Sequence, residues 1–93
     1  MYVLAQHKVQ DYAKWKTVFD EVAKFRKSSG ELSFNILHSE NDLNELTMIF
    51  EWDSFENAKK FMTSSELKAA MQQAGVSEEP RIQFLNQVAK GTL

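Results

Sequence analysis

The chain contains no cysteine, which excludes disulfides, thiolate metal sites and cysteine nucleophiles together. A reducing cytoplasm is the expected location, since nothing in the composition asks for an oxidising one. The three glycines stand far apart, so there is no glycine-rich loop to cradle a phosphate, and nucleotide binding drops out. No serine lies in a GxSxG elbow; the serines cluster at caps and turns. Long apolar runs are missing too. MYVLA at the N-terminus gives way at once to polar residues, so neither a signal segment nor a membrane span is expected. Charge of one sign is also scarce: 11 basic and 13 acidic residues leave a net −2, with no like-charge run longer than two. Nucleic acids and anionic membranes, which need clustered Lys and Arg, are not expected partners.

Aromatic residues are present in excess, with seven Phe, two Trp and two Tyr in 93 residues. A chain of this length folds as one small domain, over 1–93, and buries only about 60–65% of the surface its unfolded form exposes. The rings therefore either enlarge the core, line a cavity or meet a second subunit.

Hydrophobic periodicity sets out the elements. YVLAQHKV at 2–9 reads as a strand. Tyr12, Trp15, Val18, Phe19, Val22 and Phe25 then recur at three-and-four spacing, one face of a helix. Asp11 is its expected N-cap and Gly30 its C-terminal stop. Leu32, Phe34, Ile36 and His38 alternate with Ser33, Asn35, Leu37 and Ser39, SENDLN supplies a turn, and Leu46, Met48, Phe50 and Trp52 alternate again, giving a hairpin. Phe55, Ala58, Phe61 and Met62 begin a second helix that restarts at residues 63–66 and continues through Leu67, Ala70, Met71 and Ala74. Gly75 with Val76 ends it. Pro80 blocks continuation, and 81–88 is a last strand. The order β-α-β-β-α-β predicts a ferredoxin-like α+β fold: a four-stranded antiparallel sheet, strands one and three central, with two helices on one face.

Helices on one face leave the other face bare. That face carries Leu37, Ile49, Leu85 and either Tyr2 with Leu4 or Val3 with Ala5, interspersed with Thr47, Glu51, Gln83 and Gln87. A water-facing sheet is more cleanly polar, so a homodimer packed sheet to sheet is expected. Around IFEWDSF, Phe50 and Trp52 share one face while Glu51 looks to the other. Asp53 and Glu56 have capping-box spacing, and Asp53 is the expected N-cap.

The chain resembles the dimeric α+β barrel proteins of the antibiotic biosynthesis monooxygenase-like, or cyclase-like, group. The resemblance rests on VQDYAKWKTVFDE at 9–21, Gly30, NDLN at 41–44, FEWDSFENAKKF at 50–61, the Ser64-to-Leu67 step and MQQAGV followed by Pro80. It runs from about Val3 to Val88. It implies the fold and the sheet-to-sheet dimer. The superfamily is implied to hold cofactor-free monooxygenases, haem-degrading enzymes, lactone isomerases, polyketide cyclases and dehydratases.

Candidate site residues gather at one end of the proposed layer. His7 and His38 sit at the C-terminal ends of strands one and two, about 9–10 Å apart by two strand spacings. Helix one starts there with Tyr12 and Trp15, and helix two finishes there with Met71. The expected site is an apolar pocket for a small hydrophobic or aromatic ligand. His7 would be its general base, Trp15 and Phe19 its stacking walls, and Tyr12, His38 and Met71 further lining, with His38 an auxiliary hydrogen-bonding group. The competing reading is a non-catalytic binder or dimerisation module whose rings are core. Two histidines without HxxxH or HExxH spacing give no metal site, and no cofactor is expected. Arg26 is expected to pair with Asp20 or Glu21.

Overall fold

The computed structural model describes residues 1–76 and 78–93. The elements run β1 (Tyr2–Lys8), α1 (Tyr12–Glu21), α2 (Ala23–Ser29), β2 (Glu31–Ser39), β3 (Asp42–Trp52), α3 (Phe55–Met62), α4 (Ser65–Gln73) and β4 (Arg81–Leu85). The strands form one antiparallel sheet in the order β2-β3-β1-β4, so strands one and three are central, as the pattern predicts. The fold is ferredoxin-like α+β.

Each of the two expected helices is broken into two. The first breaks at Val22, whose φ of −95° and ψ of 11° end α1 and begin α2. The break frees carbonyls at the end of α1, and the Arg26 guanidinium donates to one of them, Phe19 O, at 3.1 Å. The second breaks at Thr63 and Ser64, where the Ser64 hydroxyl accepts from Leu67 N and caps α4. Asp11 caps α1 as expected, accepting from Ala13 N at 2.9 Å. The cap of α3 corrects the expectation for Asp53: Ser54 accepts from Asn57 N at 3.1 Å, while the Asp53 carboxylate takes the Asn57 side-chain amide. Asp53 is instead tied through its backbone N–H to Gly30 O at 2.9 Å.

Gly30 has φ of +121°, and a Cβ there would meet Asp53 Oδ1 at 2.5 Å, so the residue is glycine for two reasons. At the end of α4, Gly75 N donates to Gln72 O and Val76 N to Met71 O, the paired bonds of a Schellman motif.

The core lies between the helices and one sheet face. Val3, Ala5, Leu46, Met48, Phe50 and Trp52 come from the central strands, and Trp15, Val18, Phe19, Ala58 and Phe61 from the helices. The opposite face carries Tyr2 and Leu4, resolving the register left open by the sequence, together with Ile49 and the exposed Leu37 and Leu85. Glu51 lies on this face, accepting from Ser33 Oγ at 3.3 Å. β4 ends at Leu85, three residues short of the expected strand, and Val88 is fully exposed.

Candidate functional site

An apolar cavity of about 90 Å³ lies between sheet and helices. Its floor is Ala5, Met48 and Phe50 of the central strands; α1 supplies Trp15, Val18 and Phe19; Phe61, Met62, Leu67 and Met71 of α3 and α4 close it above. The helix period explains the α1 wall, since Trp15 and Phe19 are four residues apart on one face. Their rings stack at 4.9 Å between centroids. Met62, Leu67, Met71, Pro80 and Ile82 also border an outer groove of about 550 Å³. The wall between groove and cavity is therefore thin and built partly of flexible methionine. α4 contributes no fully buried residue, so it is the least anchored part of that wall.

Among the described residues, three polar side chains border this apolar space: His7, Arg26 and Glu31. His7 is 7% exposed, meets Trp15 edge-on at 5.8 Å, and among the described residues has no hydrogen-bond partner for either ring nitrogen. Burial pulls its pKa down from 6.5 to about 4, so near neutral pH it is an uncharged imidazole offering one N–H and one lone pair. The Arg26 guanidinium lies over the Phe19 ring, 3.5 Å from its centroid. Its Nε is 3.3 Å from Glu31 Oε2. That is close enough for an ion pair, yet Nε lies off the hydrogen-bond line and has no hydrogen-bond partner among the described residues. Burial outweighs pairing for both partners. It lowers Arg26 from its usual value against the pull of Glu31 and Asp20, and it raises Glu31 to about 7 against Arg26. One continuous wall results, running His7, Trp15, Phe19, Arg26, Glu31.

Of the residues expected at the site, His7, Trp15, Phe19 and Met71 border the cavity, and Tyr12 and His38 do not. Tyr12 stacks on the outer side of Trp15 at 6.0 Å. His38 lies level with His7 across Leu46 in the sheet register, as expected, but β2 is an edge strand, and although Phe34 meets Phe19 of α1, the strand is exposed at its His38 end. His38 is exposed there, with Nδ1 on Ser39 O at 2.9 Å. Arg26 pairs with neither Asp20 nor Glu21; its partner is Glu31, which sequence reasoning missed. The reason is a register shift between Glu31 and Ser33. It places Glu31 opposite Trp52 on the helix side and leaves Leu32 62% exposed, reversing the expected alternation at the head of β2. Among the described residues, no three His, Asp or Glu side chains gather as a metal site needs.

Solved structures share this architecture over nearly the whole chain. A protein from Bordetella bronchiseptica assigned to the antibiotic biosynthesis monooxygenases is 15% identical, covers 95% of this chain and 96% of its own, and superposes with a TM-score of 0.80. The fold is that of the antibiotic biosynthesis monooxygenases. A Caulobacter crescentus protein of the same assignment is 23% identical, with 95% and 89% covered and a TM-score of 0.73. SnoaB from Streptomyces nogalater, a cofactor-independent oxygenase, is 15% identical, with 94% and 93% covered and a TM-score of 0.71. Identities this low establish shape and not chemistry. No family model and no curated sequence matches the chain.

Proposed function

We propose that the cavity binds a small aromatic or polyketide-like molecule, and that the protein acts on it without a cofactor, by oxygenation or by proton-transfer-driven cyclisation or isomerisation. The observation that carries this reading is His7: a buried imidazole with both nitrogens unpartnered among the described residues, on the border of a largely apolar cavity. Leaving such a group unpaired costs about 1–3 kcal/mol, which a ligand hydroxyl or carbonyl would offset. Kinship of shape with a cofactor-independent oxygenase supports the oxygenase branch. The working unit in this reading is a homodimer in the cytoplasm, built by covering Tyr2, Leu4, Leu37, Ile49 and Leu85 with the same face of a second copy.

A non-catalytic binder is the second reading, favoured by the low basicity of His7, which makes it a better hydrogen-bonding group than a base. Native mass spectrometry of protein taken from its own host addresses subunit number and ligand together. Two copies carrying a small aromatic compound are expected, and ligand-free monomers would count against the proposal. Incubating the retained compound with fresh protein in air then separates the readings: turnover to a new mass marks an enzyme, and return of the compound unchanged marks a binder.

A further inference from the structure

We infer that the Arg26–Glu31 pair, and not His7, is the proton-accepting end of the cavity, so that a ligand hydroxyl is deprotonated by Glu31 and its anion held by Arg26. This rests on the cavity being a ligand site, as proposed above, and adds the group that does the acid–base work there.

Several observations carry it. Both side chains are 6% exposed and both border the same cavity as His7. Burying an ion pair costs free energy that apolar residues of similar volume would not; a packed-only wall would favour such residues. Arg26 Nη1 is held by Phe19 O at 3.1 Å and its plane by the Phe19 ring at 3.5 Å, so the guanidinium is fixed while Nε has no hydrogen-bond partner among the described residues. Glu31 is set by the register shift at the head of β2 and by Gly30 before it, not by a flexible loop. The charged groups acting on the pair are each other and Asp20 of α1.

The transfer balances without an oxidant. The ligand O–H bond breaks, its electron pair stays on oxygen as a phenolate beside Arg26, and a new O–H bond forms on a Glu31 carboxylate oxygen. An ordinary phenol ionises near 10. Against it Glu31, near 7, is about three decades short, and His7, near 4, about six. Arg26 beside the phenolate lowers the phenol's own pKa and narrows both gaps alike, so Glu31 stays about three decades the stronger base.

The test uses p-nitrophenol at pH 8, where the free probe is the yellow phenolate, with p-nitroanisole as the analogue lacking the ionisable proton. Proton exchange is read by calorimetry in buffers of different ionisation enthalpy, and the state of the bound probe by its absorbance. Wild type is expected to take up about one proton while the yellow band persists, because the incoming anion forces a proton onto Glu31. His7→Gln alters a side chain on the cavity border and should bind the probe more weakly, but should still take up about one proton per probe bound. Glu31→Gln should bind the phenolate with no uptake, and p-nitroanisole should bind wild type with none. Uptake that survives Glu31→Gln, uptake lost in His7→Gln, or loss of the yellow band on binding would each overturn the inference. If Glu31→Gln does not fold, wild type and His7→Gln decide it: equal uptake with the band kept supports Glu31, and loss in His7→Gln overturns it. Binding of both probes without any proton uptake sinks this inference alone. Failure of both probes to bind sinks the ligand-site reading as well.

Discussion

Replacing Glu31 by Gln should expose a pH dependence of stability that the wild-type protein conceals. His7 is lowered from 6.5 to about 4 on folding. Between those values the unfolded chain binds a proton that the fold refuses, so this contribution is lost as pH falls. Glu31 is raised from 4.5 to about 7. Its folded carboxyl keeps a proton that the unfolded chain releases, so its contribution is present at low pH and lost as pH rises through 7. The two windows overlap from 4.5 to 6.5 and the slopes have opposite sign. Each 2.5-unit shift corresponds to about 3.4 kcal/mol. We discount this to about 2 kcal/mol, because solvent approaches the cavity through the thin wall of the outer groove. Urea unfolding at pH 7.5, 6.5, 5.5 and 4.5, at one protein concentration, should find wild type nearly flat. Glu31→Gln starts lower, because it leaves Arg26 buried without its partner, and should lose about a further 2 kcal/mol towards pH 4.5, a midpoint shift of about 1–2 M. His7→Leu should show the mirror image, gaining stability on acidification. Exposed carboxylates titrate alike in all three proteins and cancel in the differences. Parallel profiles for wild type and both variants would refute the reasoning.

Other consequences are separately measurable. Gly30→Ala places a Cβ against Asp53 at a φ of +121° and should cost about 1–3 kcal/mol in chemical denaturation. Ser54→Ala removes the N-cap of α3 and should cost about 0.5–2 kcal/mol, whereas Asp53→Ala should cost less; the reverse order in thermal melts would restore Asp53 as the cap. Leu4→Glu with Ile49→Glu puts carboxylates on the open sheet face opposite one another. It should convert a dimer to a monomer in sedimentation velocity while leaving circular dichroism unchanged.

The fold was legible because its elements announce themselves in period and punctuation. Trp15, Val18 and Phe19 mark the inner stripe of α1, while Gly30 and Gly75 mark the ends of α2 and α4. Alternation at 46–52 gives the register of β3, whereas YVLA at 2–5 is apolar at every position and left the facing of β1 open. The site was half legible. His7, Trp15, Phe19 and Met71 follow from topology, since the ends of β1, α1 and α4 converge. Glu31 did not follow, because a single register shift exchanges the two faces of a strand and no residue type advertises it beforehand. His38 failed for a different reason: strand parity says which face a residue takes, but coverage depends on how far the helices extend over an edge strand. Likewise Ser54 and Asp53 are both good capping residues, and the choice was made by Asp53 being tied to Gly30 through its backbone.

Of the four methionines, three, Met48, Met62 and Met71, border the cavity, and Met1 does not. That makes a direct test of whether this space admits an aromatic guest. With the methionine methyl groups isotopically labelled, p-nitroanisole is titrated and all four methyl resonances followed by NMR. Ring-current shifts are expected at Met48, Met62 and Met71, saturating together with one affinity, while Met1 stays in place. Methyl resonances that do not move, or a response confined to Met1, would contradict the cavity as the ligand site.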